Sequence, residues 1–300
     1  MNYAIIIKVL GSLLLFEAIA LLPPLAISFF TGGNDLKAFI YTIVLLIIVG
    51  FPTTKVSIKH KRVKARDALL IVTLGWIFVS FFGSLPFVFS RSIPSLVDAF
   101  FETVSGLTTT GATLINNIEV LPKGIIFWRS FMHWIGGMGI LVLTIAILPA
   151  IGVGGYQIFK LESPGPIADK LVPRMKDTAK ILYTLYIGLT ILQTILLCFG
   201  GMSFFESLIH TFGTVGTGGF SSKNSSIGAY NSSYITYVIS IFMIISGVNF
   251  PLYYEIYKGR WKSAIQNSEL KLYLSIIAVS TLLITLNLYG KAYSSIFETF

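Results

Sequence analysis

The sequence predicts an all-α polytopic membrane protein made of repeated helix, pore-loop and helix units, two complete and a third begun, after two extra N-terminal transmembrane helices. Three observations carry that expectation. Hydrophobic residues make up 54% of the 300-residue chain and charged residues only 12%, with a mean hydropathy of +0.81, far from the balance of a soluble domain. Apolar runs close to a bilayer crossing in length follow one another along the chain. Two Gly/Thr stretches, Gly106–Thr113 and Gly213–Phe220, each follow a short apolar segment and precede a long one.

A hydrocarbon core about 30 Å thick takes about 20 apolar residues per helix. Runs near 4–30, 37–54, 68–90, 124–158, 179–200, 234–257 and 270–290 meet or approach that length, giving seven spans. The first run, with only Lys8 and Glu17 charged, is much longer than a signal-peptide core and reads as a retained span. The net charge of +9 comes largely from three loops: Lys55, Lys59, Lys61, Arg62, Lys64 and Arg66; then Lys160, Lys170, Arg174, Lys176 and Lys180; then Lys258, Arg260, Lys262 and Lys271. These loops follow spans two, four and six, so the positive-inside rule places them and the N-terminus in the cytoplasm. Nucleic-acid binding is the weaker reading of that charge.

Between spans three and four, and again between five and six, lie apolar segments too short to cross, Pro94–Leu107 and Ser203–Gly213. Both fall on the outer side, where a re-entrant half-helix would dip in and return. The fourth span, Gly124 to Ile158, is longer than one straight crossing and contains Pro149, so a kink or a cytoplasmic extension is expected there. The resulting organisation is an extension over 1–56, a first repeat over 57–160, a second over 161–258 and the start of a third over 259–300.

Irregular backbone at membrane depth is tolerated only where protein buries it or a watery cavity solvates it. A Gly/Thr loop after a half-helix therefore suits a lined ion pore. A dehydrated monovalent cation needs several close oxygens, which backbone carbonyls supply when glycine lets the chain turn them toward the axis. The loops align without a gap 107 residues apart: Gly106 with Gly213, Thr110 with Thr217 and Gly111 with Gly218. Half-helices aiming their C-terminal ends at the cavity favour cations over anions. A tight extracellular turn is the bland alternative for either loop alone, and recurrence in the same topological place weighs against it.

Other residues carry less. Asp98, Glu102 and Glu206 on the half-helices either concentrate cations or serve as helix-terminal charges or a partner for Arg129. Arg129 and His133, one turn apart on the fourth span, either brace the filter or face the outer interface. The histidines His60, His133 and His210 are scattered and the cysteine Cys198 is single, so neither a metal-ligand spacing nor an intrachain disulfide emerges. A membrane enzyme would need a nucleophile and base or a metal cluster at one face, and no such set stands out.

At these residues the chain resembles the TrkH/TrkG branch of the Trk/Ktr/HKT superfamily of potassium transporters. The likeness includes both filters, Trp128-Arg-Ser-Phe-Met-His-Trp-Ile-Gly-Gly-Met-Gly139, Ile147-Leu-Pro-Ala-Ile-Gly-Val-Gly-Gly155 and Glu162-Ser-Pro-Gly-Pro166. The resemblance implies four repeats around one pore and potassium uptake with no cofactor. It implies filter residues Thr108, Thr109, Thr110, Gly111, Val215, Gly216, Thr217 and Gly218, with the ion held most directly at Thr109, Thr110, Gly216 and Thr217. It also implies a bacterial inner membrane location, a homodimer and a cytoplasmic nucleotide-binding regulatory subunit of the TrkA type. The final Ile296-Phe-Glu-Thr-Phe300 echoes Phe101-Glu-Thr103. A C-terminally truncated, non-conducting fragment of such a transporter is thus one expectation, and a short chain completing a ring with a second copy is another.

Overall fold

A computed structural model describes residues 1–58, 64–139 and 175–288, and among them every regular element is helical. The first span is α1 (Tyr3–Ala20) followed by α2 (Leu22–Thr31). Pro23 and Pro24, lacking amide donors, sit in the first turn of α2, which is where proline is tolerated. Gly32 ends α2 in the left-handed conformation at φ 63°, a conformation open to glycine.

The second span, α3 (Leu36–Thr54), packs closely on α1. At their crossing, a Cβ on Gly11 would lie 2.9 Å from the Gly50 carbonyl oxygen and one on Gly50 would lie 3.1 Å from that of Gly11, the small-residue contact that lets membrane helices approach. The third span, α4 (Ala65–Phe89), also packs on α1. Asp67 near its start accepts the backbone N–H groups of Lys64 and Asn2, each at 3.1 Å, tying the chain's beginning to α4.

Two short helices follow the expected plan. The 12-residue α5 (Leu96–Leu107) and, later, the 12-residue α8 (Phe204–Val215) each reach about 18 Å, too little to cross. Between them come α6 (Lys123–Gly137) and α7 (Met175–Phe199). The expected kink or extension at Pro149 lies outside the described residues. After α8 the chain makes a 3₁₀ turn at Ser226–Tyr230 and enters α9 (Ser233–Ser246).

The sixth span departs from the sequence expectation of one helix over 234–257. It stops at Ser246 and resumes as α10 (Phe250–Tyr257) after Gly247-Val248-Asn249. The physical reason is local. Pro251 has no N–H for the Gly247 carbonyl four residues back, and Gly247 is a weak helix former. Then come α11 (Trp261–Gln266) and α12 (Ser268–Leu288). Among the described residues, the helices long and apolar enough to span a membrane are Tyr3–Thr31, Leu36–Thr54, Arg66–Phe89, Ile181–Phe199 and Ser268–Leu288.

The chain forms two compact units, Met1–Ser246 and Gly247–Phe300. The core of the first runs through Val9, Leu13, Phe39, Ile71, Phe87, Leu107, Trp128 and Met132. It places α6 against both half-helices. An aromatic cluster of Phe127, Phe131, Trp134 and Phe212 seals α6 onto α8, with ring centroids 5.3–5.8 Å apart. The start of α6 is held from the N-terminal hairpin. The buried Asp35 carboxylate accepts the Ser28 hydroxyl at 2.5 Å and the Ile125 N–H at 3.0 Å, satisfying a donor that the first turn of a helix otherwise leaves unpaired.

Candidate functional site

Both half-helices begin the same way. The Ser95 hydroxyl accepts the Asp98 N–H at 3.4 Å, and that of Ser203 accepts the Glu206 N–H at 3.3 Å, so each serine caps its helix with an acid in the first turn. They also end alike. The Thr108, Thr109 and Thr110 N–H groups donate to the carbonyls of Val104, Gly106 and Ser105, and the Gly216, Thr217 and Gly218 N–H groups donate to those of Phe212, Thr214 and Gly213.

That correspondence corrects the sequence alignment by one residue. Helix ends, caps and hydrogen bonds all match at a spacing of 108, pairing Leu96–Leu107 with Phe204–Val215. Thr109 therefore pairs with Thr217, Thr110 with Gly218 and Gly111 with Gly219. Thr109 and Thr217 have φ of 54° and 57°, while Gly111 and Gly219 have 76° and 86°. A left-handed β-branched residue is rare and costs about 1–3 kcal/mol, so two at equivalent positions mark a shared, constrained loop conformation. Val215, counted among the filter residues from the sequence, is instead the buried last residue of α8. Gly219, left out of that set, is the second left-handed glycine. The recurring Ser-x-x-Asp/Glu at Ser95–Asp98 and Ser203–Glu206 was an available sign of the true register.

The two loops touch. A Cβ on Gly111 would strike the Gly218 carbonyl oxygen. Behind them, α6 offers glycine where backbone presses on backbone: a Cβ on Gly136 would collide with the Leu107 carbonyl, and one on Gly137 would lie 2.7 Å from Gly216 Cα. From the loop side, a Cβ on Gly216 would meet the His133 carbonyl and one on Gly218 the His133 ring. The Gly-Gly and His of the α6 motif are thereby explained by packing.

Charged groups lock this wall. Arg129, 1% exposed, donates from Nε to Glu102 Oε1 at 2.6 Å and from Nη1 to the Ser221 carbonyl at 3.1 Å, with its guanidinium 3.6 Å above the Phe220 ring. Glu102 in turn accepts the Thr113 hydroxyl at 2.9 Å and the Leu114 N–H at 3.1 Å. His133 stacks on Phe220 at 3.9 Å between ring centroids, and its Nδ1 accepts the Phe220 N–H at 3.4 Å. Arg129 and His133 thus sit behind the loops. Glu102 is Arg129's partner, leaving exposed Asp98 and half-buried Glu206 at the far ends of the half-helices; Lys223 lies 3.5 Å from Glu206.

The equivalent of Glu102 in the second repeat is His210. It shares a 3.1 Å hydrogen bond with Tyr230, whose hydroxyl burial pushes up to about 12 and so keeps protonated. The segments that follow the two loops are also joined: Asn224 Oδ1 accepts the Ile118 N–H at 2.9 Å and its Nδ2 donates to Asn117 at 3.2 Å. Ser221 and Ser105, whose hydroxyl donates to the Ala112 carbonyl at 2.6 Å, were not singled out from the sequence, while Thr113 and Phe220 were named there only as the ends of the two loops.

A family model described as TrkH, cation transport protein, matches residues 34–288. The chain is 38% identical to the Trk system potassium uptake protein TrkH of Escherichia coli K12 over 311 aligned positions, which cover all of this chain and 64% of that protein. It is 34% identical to Escherichia coli TrkG, covering 92% of this chain and 57% of that one. Among solved structures, the potassium transporter TrkH from Vibrio parahaemolyticus matches with a TM-score of 0.85 at 34% identity, over 100% of this chain and 62% of that chain. The chain thus spans a little under two thirds of the relatives it matches.

Proposed function

The chain belongs to the TrkH family of cation transport proteins, a membrane transporter family and not an enzyme family, and we propose that it contributes two neighbouring walls of a potassium uptake pore. The ion is taken to bind backbone carbonyls of the paired loops, Thr108–Gly111 and Gly216–Gly219, most directly at Thr109, Thr110, Thr217 and Gly218 in the corrected register, with Gly216 flanking them. One observation supports this reading above the rest: two loops with the same left-handed threonine and glycine are pressed together by one shared helix. Alternating left-handed residues let successive carbonyls of a short segment face one side, as a dehydrated cation requires. Potassium is the cargo, and no cofactor is invoked.

In the whole protein we place the N-terminus and the basic loops in the cytoplasm of a bacterial inner membrane. We further assign it a homodimeric assembly with a cytoplasmic TrkA-type nucleotide-binding partner, on the resemblance and on the "Trk system" names of its relatives. The test is potassium uptake in cells lacking their own uptake systems. The whole protein should restore growth at low potassium, and replacing Gly111 by valine should abolish it. Full growth of the Gly111→Val strain would remove the filter assignment.

A further inference from the structure

Glu17 lies at the middle of the 29-residue apolar span Tyr3–Thr31 and is 2% exposed. Neither carboxyl oxygen has a hydrogen-bond partner. Glu17 is closely packed by α4, α5 and α6. Gly83 of α4 makes room for it, since a Cβ there would lie 2.8 Å from Glu17 Oε1, 3.1 Å from the Thr103 methyl of α5 and 3.5 Å from the Trp128 ring edge of α6. The Thr103 hydroxyl is turned to its own helix, donating to the Ala99 carbonyl at 2.8 Å, and the Trp128 N–H is given to the Gly83 carbonyl at 2.9 Å.

The charged groups on the elements around Glu17 offer it no counter-ion among the described residues. On α1 itself Lys8 is nine residues away, about 13 Å along the helix. Lys37 and Lys55 lie at the two ends of α3, and Arg66 and Asp67 at the start of α4. Asp98 and Lys123 lie in the first turns of α5 and α6. Glu102 and Arg129 pair with each other, and His133 is stacked on Phe220.

An ionised carboxylate buried without a partner costs several kcal/mol even after relaxation, whereas a neutral acid needs only one acceptor, and a buried backbone carbonyl has a second lone pair to offer. We propose that Glu17 is a proton-binding site, a carboxylic acid kept neutral within the membrane where α1 meets the back of the first half-helix unit. The bound species is a proton. Its presence is the condition for close packing of the N-terminal hairpin against α4, α5 and α6, and this holds whatever ion the pore carries.

Infrared spectroscopy of the full chain in lipid bilayers at neutral pH tests this directly. A protonated-carboxyl C=O band should be present, should shift on ¹³C labelling of glutamate carboxyls, and should be lost in E17Q. Gly83→Ala, which pushes on Oε1 while keeping Glu17, should move the band's frequency. If E17Q does not assemble, the response of G83A reads the same carboxyl. Absence of the glutamate band, its survival in E17Q, or its indifference to G83A would each overturn the proposal.

Discussion

Gly218 and Gly219 are adjacent, yet the structure gives them different reasons to be glycine, and substitution separates those reasons. Gly219 has φ 86° with nothing within 4 Å of where a Cβ would stand, so Gly219→Ala meets no neighbour and bears only the conformational penalty. For an L-residue held left-handed that is about 1–2 kcal/mol, or about a 5- to 30-fold loss of the native loop conformation relative to its alternatives. Gly219→Asn should lose less, because asparagine visits that region more readily. Gly218 is not left-handed, but a Cβ there would run into Cγ, Nδ1 and Cε1 of His133. Overpacking of this kind costs about 1–3 kcal/mol, and it is relieved if the ring is removed. The assay is the initial rate of potassium uptake and the potassium-to-sodium ratio, normalised to inserted protein, for each glycine variant with and without His133→Ala. Coupling in the double-mutant cycle should be strong for Gly218→Ala and near zero for Gly219→Ala. Wild-type behaviour of Gly219→Ala, or equal rescue at both positions by His133→Ala, would refute the register of 108.

Removing Arg129 leaves Glu102 buried and uncompensated, so Arg129→Gln should destabilise the protein by about 3–5 kcal/mol; thermal unfolding in detergent reads this, and adding Glu102→Gln should recover part of the loss. Asp35→Ala strips the Ile125 N–H and the Ser28 hydroxyl of their acceptor. It should lower stability by about 1 kcal/mol, seen as a lower melting temperature, with Asp35→Asn falling between.

The helical plan was legible because it rests on hydropathy and length, which the bilayer enforces residue by residue. Half-helices too short to cross, at Leu96–Leu107 and Phe204–Val215, show up as plainly in the sequence as spans do. The loop register was less legible for a physical reason. Gly/Thr identity repeats at both spacings, and φ is not written in identity; what favours 108 over 107 lies outside the Gly/Thr run, in the capping serines Ser95 and Ser203 and in the pairs Thr103 with Thr211 and Asn116 with Asn224. The break at Gly247–Asn249 was passed over because hydropathy ignores the missing amide of Pro251. Ser221 escaped notice, and Phe220 was named only as a loop end, because their contact is with Arg129, which is 92 residues from Ser221 in the chain and meets it only through folding.

The paired loops share a backbone but not a brace, and the difference follows from what α6 can reach. In the first repeat the position behind the loop is Glu102, and α6 carries Arg129 to meet it. In the second the same position is His210, which turns instead to Tyr230 in the 3₁₀ turn that follows its own loop. One guanidinium nonetheless serves both loops, because its second nitrogen reaches the Ser221 carbonyl and its face covers Phe220. Arg129 holds the end of the second loop directly, at Ser221, and the end of the first through Glu102, which accepts the Thr113 hydroxyl and the Leu114 N–H. The two loops are thus joined in two places, through Arg129 and Glu102 at their ends and through the close approach of Gly111 to the Gly218 carbonyl.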